Sequence, residues 1–403
     1  MLKARSGTDI EVRAMREGDR DRFRSMTSQS FSLPAQRTEV HASTLLDEAW
    51  VICNNGNMLG GLRGETVGQF FGGKSVPCTV VSAVQILPEG RGKGYGNLLM
   101  TGAMSKWRDK GSAISILYPT NVGFYRSLGY EFGGSHTQYR LPILAVPRSS
   151  SPDPVEPFED ADLPAVKDCY RRFAEQACGL LDRSDRWWSS RVPSNGEGAE
   201  GATYWYCVRK GSKIEGYVIY SQQAERSSFE YSYSLVCHDL VWHNPDAANS
   251  LLAFAGGHVV VGVNLLWIGP PNEPLTQFIH LHQADVSHSS RWMARLVDVP
   301  RALTTRGYPA SLDVSIALNV KDDVLPENSG AIRMDVKHGS ATVTKIAHAK
   351  AYLDVGPLAS MYTGWLPARE AVRANRLQGA SPEEVQILEM LFGGSDPWCL
   401  DRF

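Results

Sequence analysis

A strand, a glycine-rich loop and a helix follow one another between residues 79 and 111, and this unit constrains the fold more than any other feature. The run Thr79 to Ile86 is rich in β-branched residues, and the following helix repeats its apolar residues at i, i+4 and i+7, namely Met100, Met104 and Trp107. The loop between them holds glycines at 92, 94 and 96, which let backbone N–H groups approach an anion at a helix start. Arg91 and Lys93 add full positive charges. The pattern is suited to binding a pyrophosphate group, although a glycine-rich loop of this kind is at least as commonly a plain flexible turn.

Other nucleotide-binding patterns are not matched by this loop. It lacks the Gly-Lys-Ser/Thr ending of a Walker A loop, and no acidic residue stands about twenty positions further on at a second strand end, as a dinucleotide fold requires. A second motif follows the strand Ala113 to Leu117 and reads Asn121-x-x-Phe124-Tyr125-x-x-x-Gly129-Tyr130. Without that motif, Tyr125 would be interpreted as a core aromatic residue of an amphipathic helix.

Proline and serine mark the first domain boundary. Four prolines and three serines fall between residues 147 and 157, which is typical of a linker, and the first domain is predicted to end near residue 148. From the pattern alone, a second and softer boundary is predicted after the helix-like stretch Ser290 to Arg306, where Gly307, Tyr308 and Pro309 interrupt the pattern. The third segment opens with alternating strands at 312–320 and 332–336 and ends in a helix with a capping box that begins at Ser381.

The net charge and the cysteine pattern argue against several classes of protein, among them nucleic-acid-binding and disulfide-rich secreted proteins. The 403 residues include 41 Lys and Arg and 43 Asp and Glu, so the formal net charge of −2 argues against a chain-wide grip on nucleic acid or anionic membrane. The seven scattered cysteines form no CxxC pair, and the N-terminus has no signal-like apolar run, so a cytoplasmic location is predicted. The most membrane-like window, 251–269, is interpreted as a buried helix and strand. His280, His282, Asp285 and His288 are interpreted as structural, and no metal site is predicted.

The two motifs together resemble motifs A and B of the GNAT acetyltransferases, which bind acetyl-CoA through the pyrophosphate loop. The stretch Arg291 to Leu303 is further similar to a signature of the enhanced intracellular survival (Eis) acetyltransferases. The resemblance implies an α/β (α+β) fold with two GNAT-type domains, each a mixed, mostly antiparallel sheet flanked by helices, and a C-terminal α+β domain like sterol carrier proteins. The predicted ranges are 1–148, 155–290 and 291–403. The second domain lacks the loop glycines and carries Asp246 at the matching position, so no CoA is expected there.

The resemblance also implies the site residues. Tyr125 is expected to be the general acid, and the C-terminal carboxylate of Phe403 the general base. Contacts to acetyl-CoA are expected from three segments, namely Val84, Gln85 and Ile86, then Arg91, Gly92, Lys93, Gly94, Tyr95, Gly96 and Asn97, and finally Thr120 and Asn121.

The implied activity is direct transfer of an acetyl group to a primary amine of a small molecule. Eis relatives often acetylate aminoglycosides and so contribute to antibiotic resistance, but a less cationic amine or a protein lysine side chain stays open as the acceptor. A binding protein with a sterol-carrier-like lipid site and a vestigial GNAT loop is the alternative. A homo-oligomer, specifically a hexamer, is expected from the resemblance alone.

Overall fold

The computed structural model describes residues 2–3, 9–32, 46–147, 153–198, 201–225, 231–279 and 284–403. These residues form two compact units, of which the first comprises Met1–Gly133, Trp292–Gly394 and Phe403, and the second Gly134–Arg291 and Ser395–Arg402. The predicted linker residues 148–152, as well as His280 and His282, lie outside the described residues. The predicted boundaries at 148, 155 and 290 remain predictions.

The N-terminal part of the first unit is a sheet packed against helices. Its strands are β1 (Leu2–Lys3), β2 (Asp9–Ala14), β3 (Ala49–Asn54), β4 (Asn57–Phe71), β5 (Lys74–Ile86) and β6 (Ile114–Leu117). Its helices are α1 (Arg20–Phe31), α2 (Tyr95–Asp109) and α3 (Val122–Arg126). Neighbouring strands from β1 to β5 pair antiparallel, whereas β5 and β6 pair parallel. The predicted apolar face of α2 is buried in the core through Met100, Met104 and Trp107.

The second unit has its own hydrophobic core and combines antiparallel with parallel strand pairs. The elements after α3 are β7 (Glu131–Pro142), β8 (Val155–Pro157), α4 (Leu163–Ala174), β9 (Leu181–Asp182), α5 (Asp185–Arg191), β10 (Gly196–Gly198), β11 (Gly201–Lys210), β12 (Lys213–Ala224), β13 (Tyr233–Trp242), α6 (Pro245–Gly256), β14 (Gly262–Gly269) and β15 (Asp285–Leu296). Strands β10 to β13 pair antiparallel in order, β13 pairs parallel with β14, and β14 pairs antiparallel with β7. The window 251–269 therefore holds a helix and a strand, as predicted.

The C-terminal part of the first unit is a four-stranded sheet with helices. It consists of α7 (Val299–Thr305), β16 (Asp313–Lys321), β17 (Gly330–Lys337), β18 (Ser340–Lys345), β19 (Tyr352–Asp354), α8 (Val355–Thr363), α9 (Ala368–Arg373) and α10 (Pro382–Phe392), with the sheet order β18-β17-β16-β19. The predicted antiparallel pair is β16 with β17. The predicted capping box is also present, because Ser381 Oγ accepts from the N–H of Glu384 and the Glu384 carboxylate accepts from the N–H of Ser381. Short 3-10 helices occupy Glu17–Asp19, Pro88–Gly90, Ile143–Ala145, Asp160–Asp162, Pro274–Phe278 and Pro326–Asn328.

The helix expected over Ser290 to Arg306 is wrong in its first half. Residues up to Leu296 continue β15, whose end pairs antiparallel with β6, and the helix α7 begins only at Val299. Residues 292–296 are all buried, so this strand shows no polar alternation and looks like one turn of a buried helix. Asp298 starts the helix, because its carboxylate accepts from the N–H of Arg301 at 3.0 Å.

Candidate active site

The strands β5 and β6 separate beside the glycine loop. Their parallel pairing ends at Val80 and Ile116, while β5 continues to Ile86. The separation coincides with a bulge in β5, because the register with β4 shifts between Gly61 and Arg63 and Ala83 has a φ of 51°. The ends of β5 and β6 beyond these residues are not paired with each other, and the gap between them is a candidate cleft for a ligand.

The loop that follows β5 is exposed and ends in an open helix terminus. Gly92 and Gly94 have φ values of 76° and 81°, and a Cβ atom on either residue would meet nothing within 4 Å. Glycine is therefore favoured at both positions by the left-handed backbone and not by crowding. The first hydrogen bond of α2 runs from the N–H of Leu98 to the carbonyl of Gly94, so the N–H groups of residues 95–97 precede the helical ladder. These groups and the exposed side chains of Arg91 and Lys93 can hold phosphate oxygens.

Gly96 has a different structural role from the two glycines before it. A Cβ atom at Gly96 would lie 3.2 Å from the ring of Phe124. Gly96 thus allows the helix α2 to approach α3, which carries Tyr125. The three glycines look equivalent in the sequence. In the structure, Gly92 and Gly94 are needed for their left-handed backbone, and Gly96 is needed for close packing against Phe124.

The end of β5 presents its residues unequally. The buried side chain of Gln85 donates its amide N–H to Thr27 Oγ1 at 2.9 Å, so it faces α1. Val84 and Ile86 are half-buried and pack against the core of the N-terminal part. A ligand in the cleft can therefore meet Gln85 only through its backbone.

Tyr125 lies in the short helix α3. Asn121 caps this helix, because its side-chain oxygen accepts from the N–H of Phe124 at 3.0 Å, and Thr120 and Asn121 are exposed beside it. Tyr125 is 5% exposed, and its ring lies 4.9 Å from that of Phe124 and 5.8 Å from that of Tyr130. Burial raises the pKa of Tyr125 to about 12, because desolvation disfavours the phenolate. The hydroxyl therefore keeps its proton at neutral pH.

Phe403 lies next to the same segment of the chain. Its ring packs 4.8 Å from the ring of Tyr118, which directly follows β6. Tyr118 stands seven positions before Tyr125 in the sequence. Within the first unit, the last residue of the chain thus lies beside Tyr118, three positions before the start of the second motif at Asn121.

The residues before Phe403 are fixed within the second unit. The carboxylate of Asp401 accepts from the Nε of Arg183 at 3.0 Å and from the indole N–H of Trp187 at 2.8 Å. Arg183 also makes a bidentate pair with Asp239 at 2.6 and 2.9 Å. Arg183, Asp239 and Asp401 are all buried, so the carboxylate of Asp401 is committed to this network and cannot attract a cationic substrate. The sequence does not reveal this ion pair, because Arg183 and Asp401 stand more than two hundred residues apart.

The helix α6 of the second unit has a closed N-terminus where α2 has an open one. The side-chain oxygen of Asn244 accepts from the N–H of Ala247 at 2.9 Å, and Asp246 lies in the first turn. A capped end next to a carboxylate disfavours phosphate. This contrast supports the expectation that the second domain holds no CoA.

Comparisons with known families agree with this geometry. Residues 11–133 and 179–296 each match an acetyltransferase (GNAT) domain, and residues 299–400 match a sterol carrier protein domain. The chain belongs to the GNAT acetyltransferases. It has two GNAT domains and a C-terminal sterol-carrier-like domain, so the predicted GNAT family and the α/β (α+β) fold class are confirmed.

Individual relatives cover most of the chain. An N-acetyltransferase of Streptomyces griseus, itself uncharacterized, is 22% identical over 82% of this chain and 83% of its own length. A GCN5-related N-acetyltransferase from Anabaena variabilis is 27% identical with a TM-score of 0.92, and covers 98% of this chain and 100% of its own. Eis1 from Mycobacterium abscessus shares the fold at 22% identity, with a TM-score of 0.79 over 98% of this chain and 100% of its own. The predicted enzyme class, an N-acetyltransferase, is confirmed.

Membrane-spanning helices and metal-binding clusters are both absent from the residues that the structure describes. None of the helices in those ranges is long and apolar enough to cross a membrane. Across the same part of the chain, no group of three His, Cys, Asp or Glu side chains is arranged to hold a metal ion.

Proposed function

We propose that the protein transfers an acetyl group from acetyl-CoA directly to a primary amine of a small molecule. The observation that carries the proposal is the exposed loop with left-handed Gly92 and Gly94 at the open N-terminus of α2, beside the cleft between β5 and β6. Enzymatic use of this loop is favoured over a vestigial one, since a buried and protonated tyrosine lies on the adjacent helix.

The donor would be held by the backbone of the loop and the strand end. The N–H groups of residues 95–97, with Arg91 and Lys93, suit the pyrophosphate of CoA, and Thr120 and Asn121 suit the rim of the cleft. Backbone N–H groups near Ile86 would polarise the thioester oxygen, as hydrogen-bond donors do where negative charge develops.

The amine must lose a proton as it forms its bond to the acetyl carbon. The terminal carboxylate of Phe403 would accept that proton, directly or through one water. An α-carboxylate has a reference pKa near 3.5, so it becomes a useful base only when it is placed beside the attacking nitrogen and partly desolvated. The packing of the Phe403 ring on Tyr118 supplies a means of placing it.

The second proton transfer occurs at the leaving sulfur. When the carbon–sulfur bond breaks, the hydroxyl of Tyr125 would donate its proton to the thiolate, and solvent would later restore the tyrosine proton. The raised pKa of Tyr125 keeps this proton available over the working pH range. In the balanced reaction, the amine and acetyl-CoA give the amide and the free thiol of CoA. The carboxylate of Phe403 passes the amine proton on to solvent, and solvent returns one proton to Tyr125.

The acceptor class rests on the family resemblance. An aminoglycoside would need carboxylates around the amine, but Asp401 is paired with Arg183 and the neighbouring Arg402 is exposed. These contacts favour a less cationic amine, such as a natural-product amine, over a polycation. A protein lysine side chain remains an alternative acceptor, and assembly into a cytoplasmic homohexamer is a prediction that light scattering and fractionation test.

A chain-end extension tests the base. Adding three residues after Phe403 moves the carboxylate but keeps the phenyl ring, and we expect acetyl transfer to fall by roughly a hundredfold or more, since positioned bases contribute that much. Thermal stabilisation by acetyl-CoA should persist. The matched control carries the same three residues at the N-terminus and should keep full activity. An extended chain that turns over as fast as the parent would remove Phe403 from the mechanism, and a parent that gains no stability from acetyl-CoA would contradict the donor.

A further inference from the structure

The segment that follows Tyr125 is tied to Arg295 at the end of β15 and to residues of the C-terminal part of the first unit. Arg295 Nε donates to the carbonyl of Leu128 at 2.8 Å, and Ser360 Oγ donates to the carbonyl of Phe132 at 2.6 Å. Glu131 pairs with Arg126 at 2.8 Å and with Arg376 at 3.4 Å. Contacts from Arg295, Ser360 and Arg376 therefore fix the residues 127–132, which follow the helix of Tyr125.

The side chain of Arg295 makes more hydrogen bonds than that of Ser360 or Arg376 does. It is completely buried, and its Nη2 donates to both oxygens of Asp322 at 2.8 and 2.7 Å. Asp322 in turn accepts from Asn328 Nδ2 at 2.9 Å and from the backbone N–H of Leu325 at 3.0 Å. A buried guanidinium with this many hydrogen-bond partners has one favourable position. Its hydrogen bond to the carbonyl of Leu128 therefore fixes the position of Leu128 as well.

The turn after α3 is shaped to receive Arg295. Gly129 has a φ of 81°, and a Cβ atom there would lie 2.8 Å from Arg295 Nε. The carbonyl of Tyr125 itself accepts from the N–H groups of Leu128 and Tyr130 at 3.0 and 3.1 Å. The guanidinium thus bonds the carbonyl of Leu128, and the N–H of Leu128 bonds the carbonyl of Tyr125.

The turn packs against the core through the buried residues Leu128 and Tyr130, but it also borders an open space. A cavity of about 310 Å³ lies beside it, lined on one side by Arg126, Ser127, Gly129 and Tyr130 and on the other by residues 321–324 and 354–357. Side chains next to an open cavity lack the close contacts that fix a core. The polar ties must therefore set the position of the turn on that side.

We propose that Arg295, held by Asp322 of the sterol-carrier-like domain, is a positioning residue that keeps Tyr125 in place for proton donation, so that this domain supports the acetyl-transfer step through Asp322. The hydroxyl of Tyr125 has no hydrogen-bond partner among the described residues, so its place depends on its short helix and on ring packing. A displacement of about 1 Å at a reacting group can cost about a hundredfold in rate. The proposal rests on the proposed role of Tyr125 as general acid.

The test uses Arg295→Lys, which keeps the charge but loses the forked geometry. We expect kcat to fall about 10- to 100-fold, with the KM for acetyl-CoA within about twofold of the parent. Hydrogen exchange should accelerate over residues 121–132. The matched control is Arg306→Lys, because Arg306 is also a buried arginine of the same unit, and among the described residues its guanidinium donates hydrogen bonds to the carbonyls of Gly307 and Tyr362. That control should lose thermal stability and keep kcat.

A double-mutant cycle separates positioning from general damage. If Arg295 acts through Tyr125, Arg295→Lys should change kcat by no more than about twofold in a Tyr125→Phe background. Equal losses in both backgrounds, or parental exchange over 121–132, would overturn the proposal and leave the acetyltransferase function intact. Parental turnover by Tyr125→Phe alone would instead refute the acid role and this proposal together.

A milder variant covers the case in which Arg295→Lys does not fold. Ser360→Ala removes only the hydrogen bond to Phe132 and should lower kcat about threefold, again without effect in the Tyr125→Phe background. An Ser360→Ala enzyme with parental kcat and parental exchange over 121–132 would count against support from this domain.

Discussion

Two glycines with the same backbone conformation should respond very differently to alanine. Gly94 and Gly129 both have a φ of 81°, so alanine at either position pays the same conformational strain of roughly 1 kcal/mol. A Cβ atom at Gly94 meets nothing within 4 Å, whereas at Gly129 it lies 2.8 Å from Arg295 Nε and 2.9 Å from Val355 Cγ1. Only the second substitution forces a buried group to move.

The magnitude for Gly129→Ala follows from what Arg295 holds. Displacing the guanidinium weakens its pair with Asp322, and breaking a buried ion pair costs about 3–5 kcal/mol. Adding the strain of roughly 1 kcal/mol gives a loss of about 4–6 kcal/mol in the free energy of unfolding. For Gly94→Ala the expected loss is about 1 kcal/mol, because no contact is disturbed.

Urea unfolding followed by tryptophan fluorescence measures both losses, and acetyl-CoA titration measures binding. Gly94→Ala should stay folded and lose most of the stabilisation by acetyl-CoA, which in the parent amounts to about 2.7 kcal/mol at a hundredfold excess over the dissociation constant. Gly129→Ala should be much less stable. Equal losses of stability in the two variants would refute the reasoning, because they would show that Arg295 does not crowd Gly129.

Three further predictions concern titration and charge. Tyr125→Phe should lower kcat roughly a hundredfold and leave acetyl-CoA binding unchanged. Because burial raises the pKa of Tyr125 to about 12, ionisation of Tyr125 should cause no decline in the parent kcat below pH 10. A decline below pH 10 that disappears in Tyr125→Phe would contradict the assignment. Burial raises the pKa of Glu273 to about 7 from 4.5, so the folded state binds the extra proton and stability falls as pH rises between these values. Glu273→Gln should remove that fall and add up to about 3 kcal/mol above pH 8 in urea unfolding, and an unchanged pH profile would refute it. Lys93→Gln should weaken acetyl-CoA binding about three- to fivefold at low salt and far less near 0.5 M salt, and a salt-independent effect would rule out a charge contact.

Local sequence determined the elements of the site. The β-branched run, the glycines at 92 and 94 and the helix with Met100, Met104 and Trp107 specify a strand, a turn and an amphipathic helix through backbone preference and periodicity. The same holds for the capping box at Ser381. Short-range patterns of this kind act within one turn or one strand, so they can be recognised without knowledge of the rest of the chain.

The tertiary structure alone decided which distant groups meet at these elements. The ring of Phe403 reaches Tyr118, Arg295 reaches Leu128, and Asp401 reaches Arg183 across separations of up to hundreds of residues. The strand at 292–296 was mistaken for a helix because burial on both faces removes the alternation that distinguishes the two. Ion pairs and close approaches leave no periodic trace in a sequence, since they depend on where the folded backbone places two side chains and not on their spacing along it.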